Sequence, residues 1–268
     1  MEKRTLSVRN ELLKKHISDY YIIEIESEMK EPILVPPLGF PVLHFHYGEP
    51  GDFYNYKNTG NESVFIGQIT RHIILKPHKG LRLLGVNFKP YGLYNLLGIK
   101  PKQITDGCIE SKYFWDEEIV DKIRQELAAS SDTQKVDIIE NLLVPYILQP
   151  DTSSNFIYDG MVDEIIQKNG LLNIGNIVNG KISTRTLERY FDKVIGISPK
   201  LFCQILRHKL IVQLTYEQQK FDWQDAIFLG YYHDHSHLTK DFEKFSNLKP
   251  VQYLRVKNQY SKEILNKA

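Results

Sequence analysis

Ser183-Thr-Arg-Thr-Leu-Glu-Arg-Tyr-Phe191 and His235-Ser-His-Leu-Thr-Lys-Asp-Phe242 are two copies of one pattern, and they align at a single offset of 51 residues. Each copy follows a short apolar helical segment and carries basic and polar residues on one side. A repeat of helix-turn-helix units at a fixed offset is typical of two copies of a DNA-reading element. The aligned pairs are Leu187 and Leu238, Arg189 and Lys240, Phe191 and Phe242, and Pro199 and Pro250.

The first copy predicts an amphipathic helix with a polar outer face. Ser183 is a good N-cap, because its hydroxyl can accept an unpaired backbone N–H of the first turn. Arg can bond guanine O6 and N7 in the major groove, and Glu can accept from cytosine N4. A solvated charged face is the alternative, and the repeat favours DNA. The predicted core residues are Leu187, Tyr190 and Phe191, and the predicted outer residues are Thr184, Arg185, Glu188 and Arg189.

The second copy places His235, Ser236, His237, Thr239 and Lys240 on the corresponding surface. Its histidine spacing also suggests a metal site. Alternate residues of a helix point roughly 200° apart, so ligands at this spacing converge only on a strand. Imidazole hydrogen bonds to base edges or phosphates are therefore the favoured interpretation.

The composition is that of a globular protein: 268 residues, 42% hydrophobic and 25% charged, which is enough apolar material for two domains. The N-terminus carries no apolar stretch of signal-peptide length, and no uncharged apolar run is long enough to span a bilayer. We expect a cytoplasmic protein. Cys108 and Cys203 lie far apart, which predicts two half-buried free thiols.

Charge is unevenly distributed along the chain. Residues 160–268 hold 16 Lys and Arg against 11 Asp and Glu, a net of +5, whereas residues 1–159 carry a net of −4. This asymmetry has the sign expected if the C-terminal part meets phosphates.

The first third of the chain is rich in β-branched and aromatic residues and is punctuated by Pro and Gly. Such a pattern predicts short strands in a small β-barrel or sandwich. Amphipathic helical spacing begins after Pro90 and, beyond a polar segment, continues to the end of the chain. The predicted strands are 20–26, 41–47, 63–69 and 81–88, and the predicted helices are 91–97, 117–127, 135–144, 162–167, 201–214 and 223–229.

The polar segment Gln149-Pro-Asp-Thr-Ser-Ser-Asn155 is the best candidate for a linker. It divides the chain into a predicted sensor domain at 1–148, a linker at 149–157 and a helical domain at 158–268.

The two copies, with their Gly196-Ile-Ser-Pro-Lys200 and Leu248-Lys-Pro-Val-Gln-Tyr253 extensions, resemble the DNA-binding domain of AraC/XylS-family transcriptional regulators. The resemblance covers about residues 160–257. It implies seven helices, with two helix-turn-helix subdomains joined by a long helix at 200–214. It also implies that the recognition helices enter adjacent major-groove segments, about 34 Å apart.

Carried over by motif position, the base-reading sites fall on Arg185, Glu188 and Arg189, and on His235, Ser236, Thr239 and Lys240. The wider set of DNA contacts expected on these two helices is Thr184, Arg185, Thr186, Glu188, Arg189, His235, Ser236, His237, Thr239 and Lys240. Two turns depart from the family pattern. Tyr231 stands where the family has glycine, with Gly230 one residue early, and the first turn, Asn179-Gly-Lys-Ile182, is one residue short. Because glycine tolerates φ > 0, we expect a reshaped second turn.

The N-terminal part resembles the sensor region of one branch of the same family. The similarity lies in Ile66-Gly-Gln-Ile-Thr-Arg71, Leu84-Gly-Val-Asn-Phe-Lys-Pro-Tyr-Gly92 and Leu97-Gly-Ile99 with Ile104-Thr-Asp106. It implies a cupin-like β-barrel followed by helices, and hence an α+β protein overall. In better-known members such a barrel binds a small effector and the helices support dimerisation.

His44 and His46 lie on one face of a strand, because successive side chains alternate. With His72 or His78 they could form a cupin-type metal site. The cupin spacing of two histidines followed by Glu is missing, which favours pocket-lining or surface histidines. We therefore predict neither metal nor cofactor, and His44 and His46 are only weak candidates for effector contacts.

The sequence as a whole predicts a sequence-specific DNA-binding transcriptional regulator, not an enzyme. The expected partners are double-stranded DNA and a small effector, with no membrane, and we expect a homodimer. Two alternatives stay open. One is a cupin-type metal-dependent enzyme or ligand-binding protein with a helical targeting domain. The other is an architectural or partner-binding protein with a ligand-blind barrel.

Overall fold

The computed structural model describes residues 1–29, 31–49, 52–53, 63–76, 78–147, 156–178, 180, 182–217, 222–228, 231–257 and 259–265. Within these ranges the N-terminal half contains the strands and three helices, and the C-terminal half is helical. The predicted division into a sheet-rich part and a helical part is thus confirmed. No helix in these ranges is both long and apolar enough to cross a membrane.

The strands form two antiparallel sheets. The larger has the order β1-β2-β8-β4-β6-β9 and the smaller β3-β7-β5. β1 and β9 are the edges of the larger sheet, so the described strands make two facing sheets instead of the predicted closed barrel. The strands are β1 Glu2–Leu6, β2 Ile17–Glu24, β3 Ile33–Val35, β4 Val42–His46, β5 Asp52–Phe53, β6 Val64–Ile66, β7 Ile73–Lys76, β8 Arg82–Phe88 and β9 Cys108–Glu110.

Both faces of the larger sheet are buried, which explains why its central strands are almost continuously apolar. On one face, Leu84, Val86 and Phe88 of β8 pack into a core with the following helices. On the other face, Leu83 packs toward the smaller sheet. The space between the sheets holds the cavity described below.

Three helices cover the outer face of the larger sheet: α1 Gly92–Leu97, α2 Glu117–Ala129 and α3 Asp132–Leu143. Val120, Ile123 and Leu127 bury one stripe of α2 at helical spacing. α3 begins with a capping box between Ser131 and Gln134.

The C-terminal half has two helix pairs joined by the long helix α7. The first helix pair is α5 with α6, and the second is α8 with α9. Residues 149–155 of the predicted linker lie outside the described residues, and α4 begins at Phe156. The turn positions 179, 181, 229 and 230 also lie outside the described residues. The helices are α4 Phe156–Gln167, α5 Ile174–Val178, α6 Thr184–Tyr190, α7 Pro199–Glu217, α8 Trp223–Phe228, α9 His235–Ser246, α10 Pro250–Val256 and α11 Gln259–Leu265.

Each helix pair has its own apolar core on α7. Leu187 and Phe191 pack with Phe202 and Ile205 in the first core, and Leu238 and Phe242 pack with Ile211 and Val212 in the second. Cys203 is buried in the first core rather than half-buried as predicted, whereas Cys108 is half-buried, and both thiols are free. The long helix is therefore the common support of both pairs.

Candidate nucleic-acid interface and ligand cavity

α6 starts at the predicted cap and exposes the predicted face. The Ser183 hydroxyl accepts a hydrogen bond from the Thr186 backbone N–H at 3.1 Å. Leu187 and Tyr190 are buried and Thr186 is half-buried, and the Thr186 hydroxyl bonds to that of Ser183 at 2.8 Å. The exposed residues of this face are Thr184, Arg185, Glu188 and Arg189. Their role as DNA contacts stays a prediction.

α9 is capped by a residue that the sequence analysis did not single out. The Asp234 carboxylate accepts from the His237 backbone N–H at 2.8 Å, which fixes the start of the helix at His235. His235, Ser236 and Lys240 are exposed, whereas His237 and Thr239 are half-buried. The amphipathic spacing could have revealed the Asp234 cap, since Asp is among the preferred N-cap residues.

His237 is turned toward its own helix pair. Its ring meets the edge of Tyr232 at 5.2 Å between centroids, and its Nε2 lies 3.9 Å from a carboxylate oxygen of Asp241. This contact holds the imidazole beside α7 rather than on the outermost surface. Among the predicted contacts on α9, His237 is the one that lines the cleft between the two pairs.

A surface cleft of about 820 Å³ separates the two helix pairs, with α7 as its floor. Both predicted recognition helices border it, and basic and amide side chains of α7 face it. The polar residues that line it are Asn173, Thr184, Glu188, Ser198, Lys200, Gln204, Arg207 and His237. The structure therefore brings Thr184 and Glu188 of the first predicted set together with His237 of the second.

α7 fixes α9 through a polar chain that the sequence did not reveal. Gln204 donates to the Asp241 carboxylate at 3.2 Å and accepts from Lys244 at 2.9 Å. Asp241 is buried, and burial raises its pKa. Arg207 donates to the Tyr231 carbonyl at 3.2 Å and lies over a tyrosine ring of the same turn. These contacts join residues more than 20 positions apart, so no local pattern signals them.

The first helix pair also contacts the N-terminal half. Asp159 of α4 accepts hydrogen bonds from Tyr190 of α6 and, at 3.0 Å, from Asn95 of α1. Nearby, the Tyr91 hydroxyl donates to Asp163 at 3.0 Å. The orientation of α6 is therefore tied to the helix that follows the larger sheet.

The chain after α6 continues as a π-helical segment, Phe191–Ile195, that ends at Gly196. The Gly196 carbonyl accepts from the Thr105 hydroxyl at 3.1 Å. Its φ is +88°, and a Cβ there would lie 2.9 Å from the Lys102 nitrogen, so only glycine fits this close approach. The glycine that follows the first copy of the motif is thus explained by its contact with the N-terminal half.

A second candidate site is the cavity between the two sheets. It has a volume of about 80 Å³ and walls that are mostly apolar, such as Val42, Leu75 and Leu83. Polar atoms enter from Lys3, Tyr21, His44 and Asn87. One further wall comes from the other end of the chain, Ile264 of α11.

His44 and His46 are buried on one face of β4, with ring centroids 6.0 Å apart. The alternation prediction is correct, but only His44 lines the cavity, where its Nε2 is hydrogen-bonded to the Tyr21 hydroxyl. Burial lowers the pKa of His44 to about 3 and that of His46 to about 4, so both rings are neutral near pH 7.

The other two histidines proposed for a cupin-type site lie elsewhere. The His72 backbone N–H donates to the Phe245 carbonyl at 2.7 Å, beside α9. His78 bonds the Lys79 carbonyl at 3.0 Å on an exposed turn. In the part of the chain that the structure describes, no three His, Cys, Asp or Glu residues are grouped so that they could hold a metal ion.

A charged cluster lies close to the cavity, where β2 approaches α7. Burial raises the pKa of Asp19 to about 6, although a 2.8 Å hydrogen bond from Asn87 opposes the shift. Burial also lowers the pKa of Lys209 to about 8, and its ammonium lies 5.3 Å from the Phe40 ring centroid. The charges of Asp19 and Lys3 both act on Lys209. The sheet unit and α7 are therefore electrostatically coupled here.

Comparison with known families gives one match, to a family described as a domain of unknown function, DUF6597, over residues 10–110. This range runs from before β2 to the end of β9 and thus covers the described strands except β1. No curated protein matches the chain.

Among solved structures, ToxT from Vibrio cholerae is similar, with a TM-score of 0.47 at 9% identity over 89% of this chain and 98% of that chain. Wild-type ToxT from Vibrio cholerae strain SCE256 with bound unsaturated fatty acid gives 0.46 at 9% identity, over 89% and 95%. ToxT from Vibrio cholerae O395 bound to (E)-4-(8-methylnaphthalen-1-yl)but-3-enoic acid gives 0.47 at 8% identity, over 96% and 99%.

Proposed function

We propose that this protein is a sequence-specific DNA-binding transcriptional regulator of the AraC/XylS type. The observation that supports this proposal is the similar position of α6 and α9, one in each helix pair. Both begin at an N-cap, expose polar and basic residues and border one cleft on α7. Two exposed helices held by one rigid support can enter two successive major-groove segments of one duplex.

The polar face of each helix matches the chemistry of base edges. Arg185 and Arg189 are exposed with their fork-shaped donors free to meet guanine, and Glu188 beside them can accept from cytosine. His235, Ser236 and Lys240 supply donors on the second helix. Thr186 and His237, which make contacts inside the protein, are expected to position the helices more than to read bases.

The test is selection from a random duplex library with the full-length chain at near-physiological salt, read by sequencing. We expect an enriched motif with two half-elements about one helical turn, or ~34 Å, apart. Binding should weaken linearly in log salt, because phosphate contacts release counterions. Recovery of unenriched sequences by a folded protein would contradict the proposal.

We propose further that the cavity between the sheets holds a small effector. Its apolar walls suit a compact apolar molecule, and the hydrogen-bonded Tyr21 and His44 pair suits one polar end of that molecule. A compound that binds only the folded state raises the melting temperature. Thermal shift with a metabolite panel tests this, with Leu83→Trp as the variant whose cavity is filled. A shift of equal size in that variant would place the compound elsewhere.

We also propose that the protein forms a homodimer and is cytoplasmic. Equilibrium sedimentation of the full-length chain, with and without the selected duplex, tests the first of these proposals.

A further inference from the structure

The last described helix, α11, closes the cavity of the N-terminal half. Ile264 is buried, lines the cavity and packs with Ile33, Ile73 and Leu75 of the smaller sheet. The Lys3 ammonium donates to the Ile264 carbonyl at 2.9 Å, which joins β1 to the end of α11. A wall of this cavity thus comes from residues that follow both helix pairs.

With α11 in place the cavity is too small for an effector. Its volume is about 80 Å³, whereas sites for small molecules usually measure about 300–1,000 Å³. Some wall must therefore move before a ligand of that size can enter.

α11 is the wall that can move at least cost. Most of the other walls are strands held in antiparallel ladders, so displacing one breaks several backbone hydrogen bonds. Leu38 and Ile69 lie in short segments that are anchored by a strand at each end. α11 has seven residues, too few for a helix that is stable by itself in water. The end of α11 is held by side-chain bonds from Lys3 and, at 3.3 Å, from Gln213 of α7 to the Leu265 carbonyl. Near its start, buried Ser261 bonds the Tyr216 hydroxyl of α7.

α11 also belongs to the core of the second helix pair. Leu265, next to Ile264, is buried with Ile211 and Val212 of α7 and with Tyr253 of α10. A displacement that withdraws Ile264 from the cavity must therefore disturb Leu265 in the core that supports α9.

We propose that α11 is the lid of the cavity and that its displacement by a compact apolar ligand loosens the second helix pair. This inference rests on the effector cavity proposed above. It is a property of the protein alone, so it can be tested without DNA and without the effector.

The test follows carbethoxylation of histidines by diethyl pyrocarbonate at pH 7 in the full-length chain, mapped by mass spectrometry. His44, 7% exposed, lines the cavity, whereas His46, on the same strand and fully buried, does not. We expect His44 to react at least about tenfold faster in Ile264→Ser than in the natural chain, because the lid opens locally, while His46 keeps its slow rate. Equal His44 rates in the two proteins, or a joint rise of His44 and His46, would overturn the proposal.

Ile177→Ser is the matched control, because Ile177 is similarly buried in the core of the first helix pair. In Ile177→Ser, both His44 and His46 should keep their slow carbethoxylation rates. Gln213→Leu, which removes the bond to the Leu265 carbonyl and changes no residue of the cavity wall, should raise His44 labelling in the same direction and serves if Ile264→Ser does not fold.

The coupling is tested by hydrogen–deuterium exchange over residues 235–256 in the same variants. Exchange there should be faster in Ile264→Ser than in the natural chain and unchanged in Ile177→Ser. Unchanged exchange in Ile264→Ser would overturn the coupling. Failure of the DNA selection would refute the proposed function and leave these labelling results standing.

Discussion

Tyr190 of α6 donates its hydroxyl hydrogen to the carboxylate of Asp159 on α4. The same carboxylate accepts from Asn95 of α1, which belongs to the N-terminal half. Burial raises the pKa of Asp159, and the two hydrogen bonds oppose that shift. A single carboxylate thus connects the proposed recognition helix with the N-terminal half.

Tyr190→Phe should destabilise the protein by about 1–2 kcal/mol, because it leaves a mostly buried carboxylate with one donor fewer. Urea unfolding measures the change. Tyr158→Phe is the matched control: its ring stacks on Tyr190 at 4.8 Å between centroids, and loss of its hydroxyl should cost less than about 0.5 kcal/mol. Equal losses in the two variants would mean that the bond to Asp159 contributes nothing specific.

Arg189→Ala and Lys240→Ala should each weaken binding to the selected duplex. If the side chain contacts a base, about 1–3 kcal/mol of discrimination should disappear at one base position. If it contacts a phosphate, binding should weaken equally for all sequences and the salt slope should fall by about 1. Fluorescence anisotropy with single-position variants of the duplex separates these cases.

Lys122→Ala is the control for charge, because Lys122 is exposed on α2 of the N-terminal half. Its affinity and salt slope should match those of the natural chain. Natural affinity in both Arg189→Ala and Lys240→Ala would refute the assignment of α6 and α9 as recognition helices.

The helical half could be predicted closely from sequence because its helices show one-sided apolar spacing. The helix predicted at 201–214 is observed as Pro199–Glu217, and the outer face predicted for α6 is exposed. In each case a periodic stripe faces a local core, and that periodicity is present in the sequence itself.

The sheet half was predicted less well, for physical reasons. β1 is a polar edge strand, and an edge strand needs no apolar alternation. β3, β5 and β9 have only two or three residues, which is too short for a pattern. Whether two sheet edges meet to close a barrel depends on long-range register, which local patterning does not encode.

The cavity likewise could not be predicted from local sequence patterns. Alternation placed His44 and His46 on one face, but no local signal pairs His44 with Tyr21, and Ile264 comes from the far end of the chain. Such a site depends on tertiary contacts between distant segments.

Gly85→Ala should disrupt the cavity wall. Gly85 of β8 pairs with Tyr21 of β2, and a Cβ there would lie 2.1 Å from the Tyr21 ring. The ring must move and lose its bond to His44, so we expect a loss of about 1–3 kcal/mol in the free energy of unfolding. Gly160→Ala, within α4 with open space around it, should instead stabilise by about 0.5–1 kcal/mol. Urea unfolding of both variants checks the contrast, and a neutral Gly85→Ala would contradict the packing described.

Stability should fall on mild acidification, because three buried histidines are neutral in the folded protein. Burial lowers the pKa of His44 and of His208 to about 3 and that of His46 to about 4, well below the 6.5 of an exposed imidazole. Below pH 6.5 the unfolded chain therefore binds protons that the folded chain does not. Each histidine then costs about 1.4 kcal/mol per pH unit, so the three together cost about 4 kcal/mol between pH 7.5 and 5.5.

Asp19 opposes this loss. The pKa of Asp19 in the folded protein is about 6, above its ordinary value. As the pH falls, the folded chain therefore binds this proton before the unfolded chain does, which raises the free energy of unfolding by about 1 kcal/mol between pH 7.5 and 5.5. His16, whose pKa burial also lowers to about 4, adds a further loss of about 1.4 kcal/mol, so the net expectation is a decrease of about 4.5 kcal/mol between pH 7.5 and 5.5, measured by urea unfolding. Asp19→Asn removes the opposing group and should steepen the decrease by about 1 kcal/mol, whereas His208→Leu should reduce it by about 1.4 kcal/mol. Stability that rises on acidification would mean that these imidazoles are not buried as neutral rings.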